Sequence, residues 1–90
     1  MRKAKIRQMV DTYELCQYAK GKYGMGNSEW HDKVWHGEGS DDYGLCDYIM
    51  DGPVTFEVTK NPKSELERQV NDFLSDNPEL KGEVTFFFDD

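Results

Sequence analysis

The chain has 90 residues, of which 37% are hydrophobic and 13% aromatic, and its formal net charge is −7. This length provides for one small domain, and the aromatic content argues against a disordered chain. No apolar run reaches the roughly 18 residues that span a bilayer, and no secretory signal follows the basic N-terminus. We therefore expect one domain in the cytoplasm with two reduced cysteines, a disulfide between Cys16 and Cys46 being the alternative.

The charge is distributed unevenly along the chain. Residues 1–23 carry six basic and two acidic residues, whereas residues 24–90 carry five basic and sixteen acidic residues. An acidic body of this kind repels nucleic acid and anionic membranes and attracts basic partners. The competing interpretation is that the acid excess mainly keeps the protein in solution.

The first predicted element is a helix from Arg2 to about Tyr23. Its apolar residues recur on one face and are Ile6, Met9, Val10, Tyr13, Cys16 and Ala19. Gly21 and Gly24 supply a C-terminal stop. The bases of this helix predict either contact with phosphate groups or, as the favoured interpretation, docking onto the acidic body of the same chain or simply offsetting its charge.

The middle of the chain, residues 24–52, has the least decisive pattern. Trp30 to His36 is a strand or a short helix, and its two tryptophans and one valine favour the strand. Tyr43 to Met50 is predicted as a strand, and a helix is the second choice because Gly44 inside it would cost stability. Asp51-Gly52 then predicts a hairpin turn into the next strand.

The last part of the chain has the clearest pattern. Residues 54–59 alternate apolar and polar side chains as a half-buried strand does, and residues 83–88 repeat the alternation. Between them, residues 64–76 carry one apolar stripe and predict a helix. Ser64 and Glu67 have the spacing of a capping box at its start.

Together these elements predict an α+β domain of two layers. Its sheet is small and mostly antiparallel, with three or four strands, and two helices pack on one face in the order α-β-β-β-α-β. If the strands at 54–59 and 83–88 pair directly and in parallel, their crossover is right-handed. The opposite face of the sheet is expected to be largely open.

The dipeptide Trp-His occurs twice, at residues 30–31 and 35–36. A separation of five residues places the two tryptophans on different faces of a strand or of an α-helix. We therefore expect Trp30 to pack in the core and Trp35 to be at least half exposed, as an interface anchor. The alternative is that Trp35 packs under the loop 37–42.

No pattern in the chain predicts catalysis or a metal. The cysteines and histidines lack the paired spacing of a zinc site, and neither thiol has a local base or oxyanion hole. The acidic residues between 38 and 51 do not follow the alternating ligand order of a calcium-binding loop. The glycines between 21 and 28 come after a helix, whereas those of a phosphate-binding loop come before one. We expect no catalytic residue, no metal and no cofactor.

The predicted function is that of a small, non-enzymatic binding protein. Its acidic face would dock on a basic, nucleic-acid-binding partner protein and block it as a nucleic-acid mimic does, without itself contacting nucleic acid or membrane. Phage and plasmid inhibitors of host defence enzymes share this size and acidity, which is an analogy of composition. The expected partner-binding residues are Glu29, Asp32, Trp35, Glu38, Asp41, Asp42, Tyr43 and Asp47.

Two other functions are weighed against this one. The second hypothesis is a nucleic-acid-binding regulator that uses the basic helix at residues 2–22. The third is a small metal-dependent enzyme built on the histidines and cysteines. The sequence does not identify the partner or the oligomeric state.

Overall fold

The computed structural model describes residues 9–38 and 43–88, which form three strands and four α-helices. The strands are β1 (Met9–Asp11), β2 (Val54–Glu57) and β3 (Glu83–Phe87). The α-helices are α1 (Thr12–Tyr23), α2 (Asn27–Trp30), α3 (Leu45–Tyr48) and α4 (Glu65–Asp76). Helix α2 continues as a π-helix (His31–Trp35), α3 continues as a 3-10 turn (Ile49–Asp51), and a second 3-10 turn spans Pro78–Leu80.

The sheet has the strand order β1-β3-β2, with β3 in the centre. β1 pairs with β3 in parallel, Val10 beside Phe86, and β2 pairs with β3 antiparallel, Val54 opposite Phe86. The prediction of a small α+β domain is confirmed. The sheet is mixed instead of mostly antiparallel, the element order differs from the predicted one, and the two C-terminal strands do not pair in parallel.

The first helix begins later than predicted, because Met9–Asp11 forms strand β1. Asp11 is the N-cap of α1, and its Oδ1 accepts the backbone N–H of Tyr13 at 2.9 Å. The helix prediction is therefore wrong for these three residues, and its part before Met9 lies outside the described residues. The helix ends as predicted at Gly24, whose φ of 70° is left-handed.

Both strand predictions for the middle of the chain are wrong, since residues 27–35 and 45–51 are helical. The second-choice helix was disfavoured because Gly44 would lie inside it, and this penalty does not apply, because the observed helix begins at Leu45 with Gly44 as its N-cap. The Asp47 carboxylate accepts the Gly44 N–H at 3.1 Å and so caps the N-terminal end of this helix. The predicted hairpin at Asp51-Gly52 is also absent, because Gly52 ends the 3-10 turn that follows α3.

The C-terminal elements agree best with the sequence pattern. Ser64 caps α4, and its Oγ accepts the N–H of Glu67 at 3.2 Å. The Glu67 carboxylate accepts the N–H of Lys63 at 2.7 Å. The donor of this second capping-box bond is therefore the residue before the N-cap instead of the N-cap itself. The strand predicted for 54–59 ends two residues earlier, at Glu57.

The core lies between the helices and one face of the sheet. Val84 and Phe86 of β3 are fully buried there, and the Phe86 ring contacts the Phe73 ring of α4 with centroids 6.0 Å apart. On the opposite face Met9 and Thr55 are exposed, and Thr55 shares a 2.7 Å hydroxyl hydrogen bond with Thr85.

Helices α1 and α4 are tied together at their polar edges. The Asp76 carboxylate accepts hydrogen bonds from the hydroxyl of Tyr18 and the ammonium of Lys22, both at 2.6 Å. The hydroxyl of Tyr23 donates to Asp72 at 2.6 Å. Within residues 9–38 and 43–88, no helix combines the length and the apolar character that crossing a membrane requires.

Candidate functional site

The π-helix aligns the two Trp-His dipeptides on one face. The N–H of His36 donates to the carbonyl oxygen of His31 at 2.9 Å, and this i→i+5 bond places residues five apart above one another. The rings of Trp30 and Trp35 stack with centroids 6.5 Å apart and planes at 29°. The expectation that the tryptophans occupy different faces is wrong, because it assumed strand or α-helical geometry.

Trp30 forms the inner member of this stack. It is 5% exposed, as predicted for a core residue. Its indole Nε1–H donates to the side-chain oxygen of Gln69 at 3.1 Å, and Gln69 is itself fully buried on α4. The Gln69 amide in turn donates to Glu65 at 3.1 Å, so a chain of hydrogen bonds fixes the orientation of the indole.

Trp35 is the outer member and is partly buried, with less than half of its surface exposed. Its ring packs on Trp30 and, tilted by 43°, on Phe88 with centroids 5.2 Å apart. The expectation of at least half exposure is therefore wrong. The alternative placed Trp35 under the loop 37–42, part of which lies outside the described residues, and the observed partners are Trp30 and Phe88.

An open cleft of about 510 Å³ lies between the N-terminal end of α1 and the π-helix. This volume falls in the range of about 300–1,000 Å³ that ligand pockets occupy. We call it the aromatic cleft, and its lining residues are Asp11, Thr12, Tyr13, Cys16, Asn27, Trp30, His31, Trp35 and Phe88. Five of these nine described residues carry rings, and Asp11 is the only acidic residue among them.

A shallower depression of about 420 Å³ adjoins the aromatic cleft. Its lining residues are Asn27, Ser28, His31 and Asp32, so it shares Asn27 and His31 with the cleft. We call it the polar depression. The two together form one continuous surface along the side of the π-helix.

The charge of this surface is acidic. No lysine or arginine of the described chain lines either the aromatic cleft or the polar depression, whereas Asp11 and Asp32 do. Lys33 is next to Asp32 in the chain, but its ammonium pairs with Glu29 at 3.3 Å. Asp11 also offsets the positive end of the α1 dipole, which would otherwise favour an anion here.

The structure divides the predicted partner-binding residues into two groups. Glu29, Asp32 and Trp35 lie on the helical stretch 27–35, and of these Asp32 and Trp35 line the cleft or the depression. Glu38, Tyr43 and Asp47 lie beyond its C-terminal end, where Tyr43 is 67% exposed. Asp41 and Asp42 lie outside the described residues.

A close backbone approach brings the second group together. A Cβ on Gly44 would clash with the Trp35 carbonyl and would lie 2.6 Å from the nitrogen of Gly37. Only glycine allows this contact. It places residues 43–47 against the end of the π-helix, where the N–H of Glu38 donates to the carbonyl of Asp32 at 2.9 Å.

The same approach brings Cys46 near His36, with Sγ and Nδ1 3.8 Å apart. Burial, and then the Asp47 carboxylate, raise the pKa of the Cys46 thiol. Burial likewise raises the pKa of Cys16, and both cysteines are free thiols. A raised pKa keeps a thiol protonated at neutral pH, which opposes the activation that a nucleophile needs. Within the described ranges, no three His, Cys, Asp or Glu side chains converge as metal ligands.

Sequence reasoning missed most of the cleft. Tyr13, Asn27 and Phe88 come from three distant parts of the chain, and no local pattern connects them. The one available signal was the Trp-His repeat at a spacing of five, which equals the i→i+5 hydrogen-bond spacing of a π-helix. The chain matches no protein-family model, no curated protein and no solved structure.

Proposed function

We propose that the protein is a small, non-enzymatic binding protein whose acidic, aromatic surface docks on a basic, nucleic-acid-binding partner protein and blocks it. The observation that carries the proposal is the aromatic cleft, which has a carboxylate and no lysine or arginine in its described lining. Aromatic rings supply the area that loses water on binding. Carboxylates supply the charge complementarity that selects a cationic partner and speeds encounter.

The exposed carboxylates near the cleft are available to a partner. Asp32 and Glu38 are exposed, and neither forms an ion pair with any residue in the described ranges. A carboxylate that is already paired would have to lose its partner before binding a new cation. Asp32 and Glu38 carry no such cost.

Three of the seven basic residues in the described chain are already held in ion pairs. Lys22 bonds to Asp76, Lys33 to Glu29, and Arg68 to Glu65. These pairs reduce the cationic surface that a phosphate backbone would need. Residues 24–90 carry sixteen acidic and five basic residues, and this balance repels a phosphate backbone, so the protein-binding function ranks above the nucleic-acid-binding regulator.

The test uses two variants of equal net charge. Asp32→Asn with Glu38→Gln removes two charges beside the site, whereas Glu57→Gln with Glu79→Gln removes two exposed charges from other elements. Each protein is immobilised and incubated with an extract of the native host. A captured protein is then purified and assayed for nucleic-acid binding with and without each variant. We expect the first variant to lose capture and inhibition, and the second to retain both.

The salt dependence of capture and the retention of the protein on nucleic acid test the proposal further. Capture should weaken steeply between 50 and 300 mM salt, because screening shortens the reach of the charges. Equal behaviour of the two variants would contradict the proposal. Retention of the protein on DNA or RNA, lost when Lys3, Lys5 and Arg7 are changed to Gln, would support the nucleic-acid-binding regulator instead.

A further inference from the structure

We propose that the aromatic cleft is the site that receives an arginine side chain of the basic partner. The inference rests on the proposed function and specifies which chemical group the site recognises. It follows from three properties of the cleft: its stacked rings, a carboxylate oxygen that accepts no hydrogen bond from the described residues, and a floor held in place by hydrogen bonds and close packing.

The rings provide a surface for a planar cation. Trp35 lies nearly parallel to the rings of both Trp30 and His31, at 29° and 21° respectively, and Phe88 packs at its side. A guanidinium group stacks on aromatic faces and is more weakly hydrated than an ammonium group. The cleft therefore favours arginine over lysine.

The carboxylate provides the counter-charge. Asp11 uses Oδ1 to accept the N–H of Tyr13, and no residue in the described ranges donates to its Oδ2. An oxygen at the wall of an apolar cleft forms a charge-assisted hydrogen bond with a guanidinium. Since no described lysine or arginine lines the cleft, an anionic ligand would lack a counter-charge there.

The floor of the cleft is organised before a ligand arrives. Trp30 is held by Gln69, and the backbone of residues 35–37 is held by Gly44. A site whose rings are already oriented avoids the entropy cost of ordering them on binding. Asp32 in the adjoining polar depression can pair with a second basic residue of the same partner.

The experiment uses nona-arginine and nona-lysine as probes at low salt. Binding to the full chain is followed by fluorescence anisotropy and by the NMR signal of the Trp35 indole N–H. Trp35→Leu removes the ring, and Asp11→Asn removes the charge but retains a good N-cap. Glu14→Gln is the matched control, because Glu14 is exposed on the same helix and does not line the cleft.

We expect nona-arginine to shift the Trp35 signal and to bind more tightly than nona-lysine. Trp35→Leu should weaken its binding by about tenfold, in keeping with a desolvated cation–π contact. Asp11→Asn should weaken it by about threefold or more, and Glu14→Gln should leave it within a factor of about 1.5. The Trp30 indole signal verifies that each variant remains folded.

The outcomes separate this inference from the proposed function. The arginine site is wrong if nona-arginine binds but neither cleft variant weakens its binding. It is also wrong if nona-lysine binds equally well and shifts the same signal. In both cases the proposal of an acidic docking surface stands. If neither peptide binds at low salt, both proposals fail. If adenosine monophosphate shifts the Trp35 signal and nona-arginine does not, the cleft takes a base and the arginine site is again wrong.

Discussion

The indole nitrogen of Trp30 donates its hydrogen to the side-chain oxygen of Gln69 at 3.1 Å, and both residues are buried. This bond connects the helical stretch that carries the cleft to α4, which belongs to the main core. The candidate site and the fold therefore depend on the same contact.

Gln69→Leu should destabilise the protein by about 1–3 kcal/mol, because it leaves the buried indole N–H without an acceptor. Urea denaturation monitored by far-UV circular dichroism measures this loss. Trp30→Phe and the double variant complete a mutant cycle. The double variant should be more stable than the sum of the single effects indicates, and simple additivity would show that the bond contributes nothing.

Gly44→Ala should destabilise the protein by about 1–3 kcal/mol, because its methyl group would overlap the backbone of residues 35–37. Gly21→Ala is the control. Gly21 lies inside α1 with no heavy atom within 4 Å of an added Cβ, so this change should stabilise the protein by about 0.5–1 kcal/mol. Equal effects of the two substitutions on the urea midpoint would contradict the close backbone approach.

Stability should fall at alkaline pH through the tyrosines that join α1 to α4. Burial, and then the hydrogen bond to Asp76, raise the pKa of Tyr18 to about 12. The pKa of Tyr23 is also raised, by burial and by Asp72. Because an unfolded tyrosine ionises near pH 10, the contribution of both tyrosines is complete below about pH 10. The contribution of Tyr18 is lost as the pH rises through about 12, and that of Tyr23 is lost at a higher pH.

The free energy of unfolding, measured between pH 8 and pH 12, checks this expectation. Tyr18→Phe with Tyr23→Phe should flatten the alkaline decline. Tyr13→Phe is the matched control, since Tyr13 is 62% exposed and should leave the decline unchanged. A decline that persists in the double variant would assign it to other groups.

The Cys46 thiol should react slowly at neutral pH. Its pKa is raised, first by burial and then by Asp47, so the thiolate fraction is below that of an ordinary cysteine. In a Cys16→Ser background, the rate of alkylation by iodoacetamide should reach its half-maximal value at a higher pH than for glutathione. A half-maximal pH below that of glutathione would revive the enzyme hypothesis.

The C-terminal half of the fold could be predicted because each of its elements has a local cause. Ser64 caps α4, and the alternation in residues 83–88 correctly identifies Val84 and Phe86 as core residues, although Thr85 on the other face is buried too. The strand β1 could not be predicted, because Met9 and Val10 continue the helical spacing set by Ile6 and Tyr13 and, as adjacent apolar residues, do not show the alternation of a half-buried strand. Its pairing with β3 is a contact between opposite ends of the chain.

The candidate site could be predicted only in part. Asp32 and Trp35 were expected to bind a partner, and they line the surface proposed for it. The cleft itself depends on the π-helix, which no propensity scale for strands and α-helices describes. It also depends on the position of Phe88 after β3, which is determined by the tertiary structure and not by a local sequence pattern.

The π-helix has a consequence for how this stretch tolerates changes in length. In an α-helix, side chains four apart share a face, as side chains five apart do here. Removal of Lys33, which is exposed, would leave the two indoles four residues apart. The shortened segment could then wind as an ordinary α-helix and still hold its pair of rings together, so the aromatic stack is expected to survive a one-residue deletion.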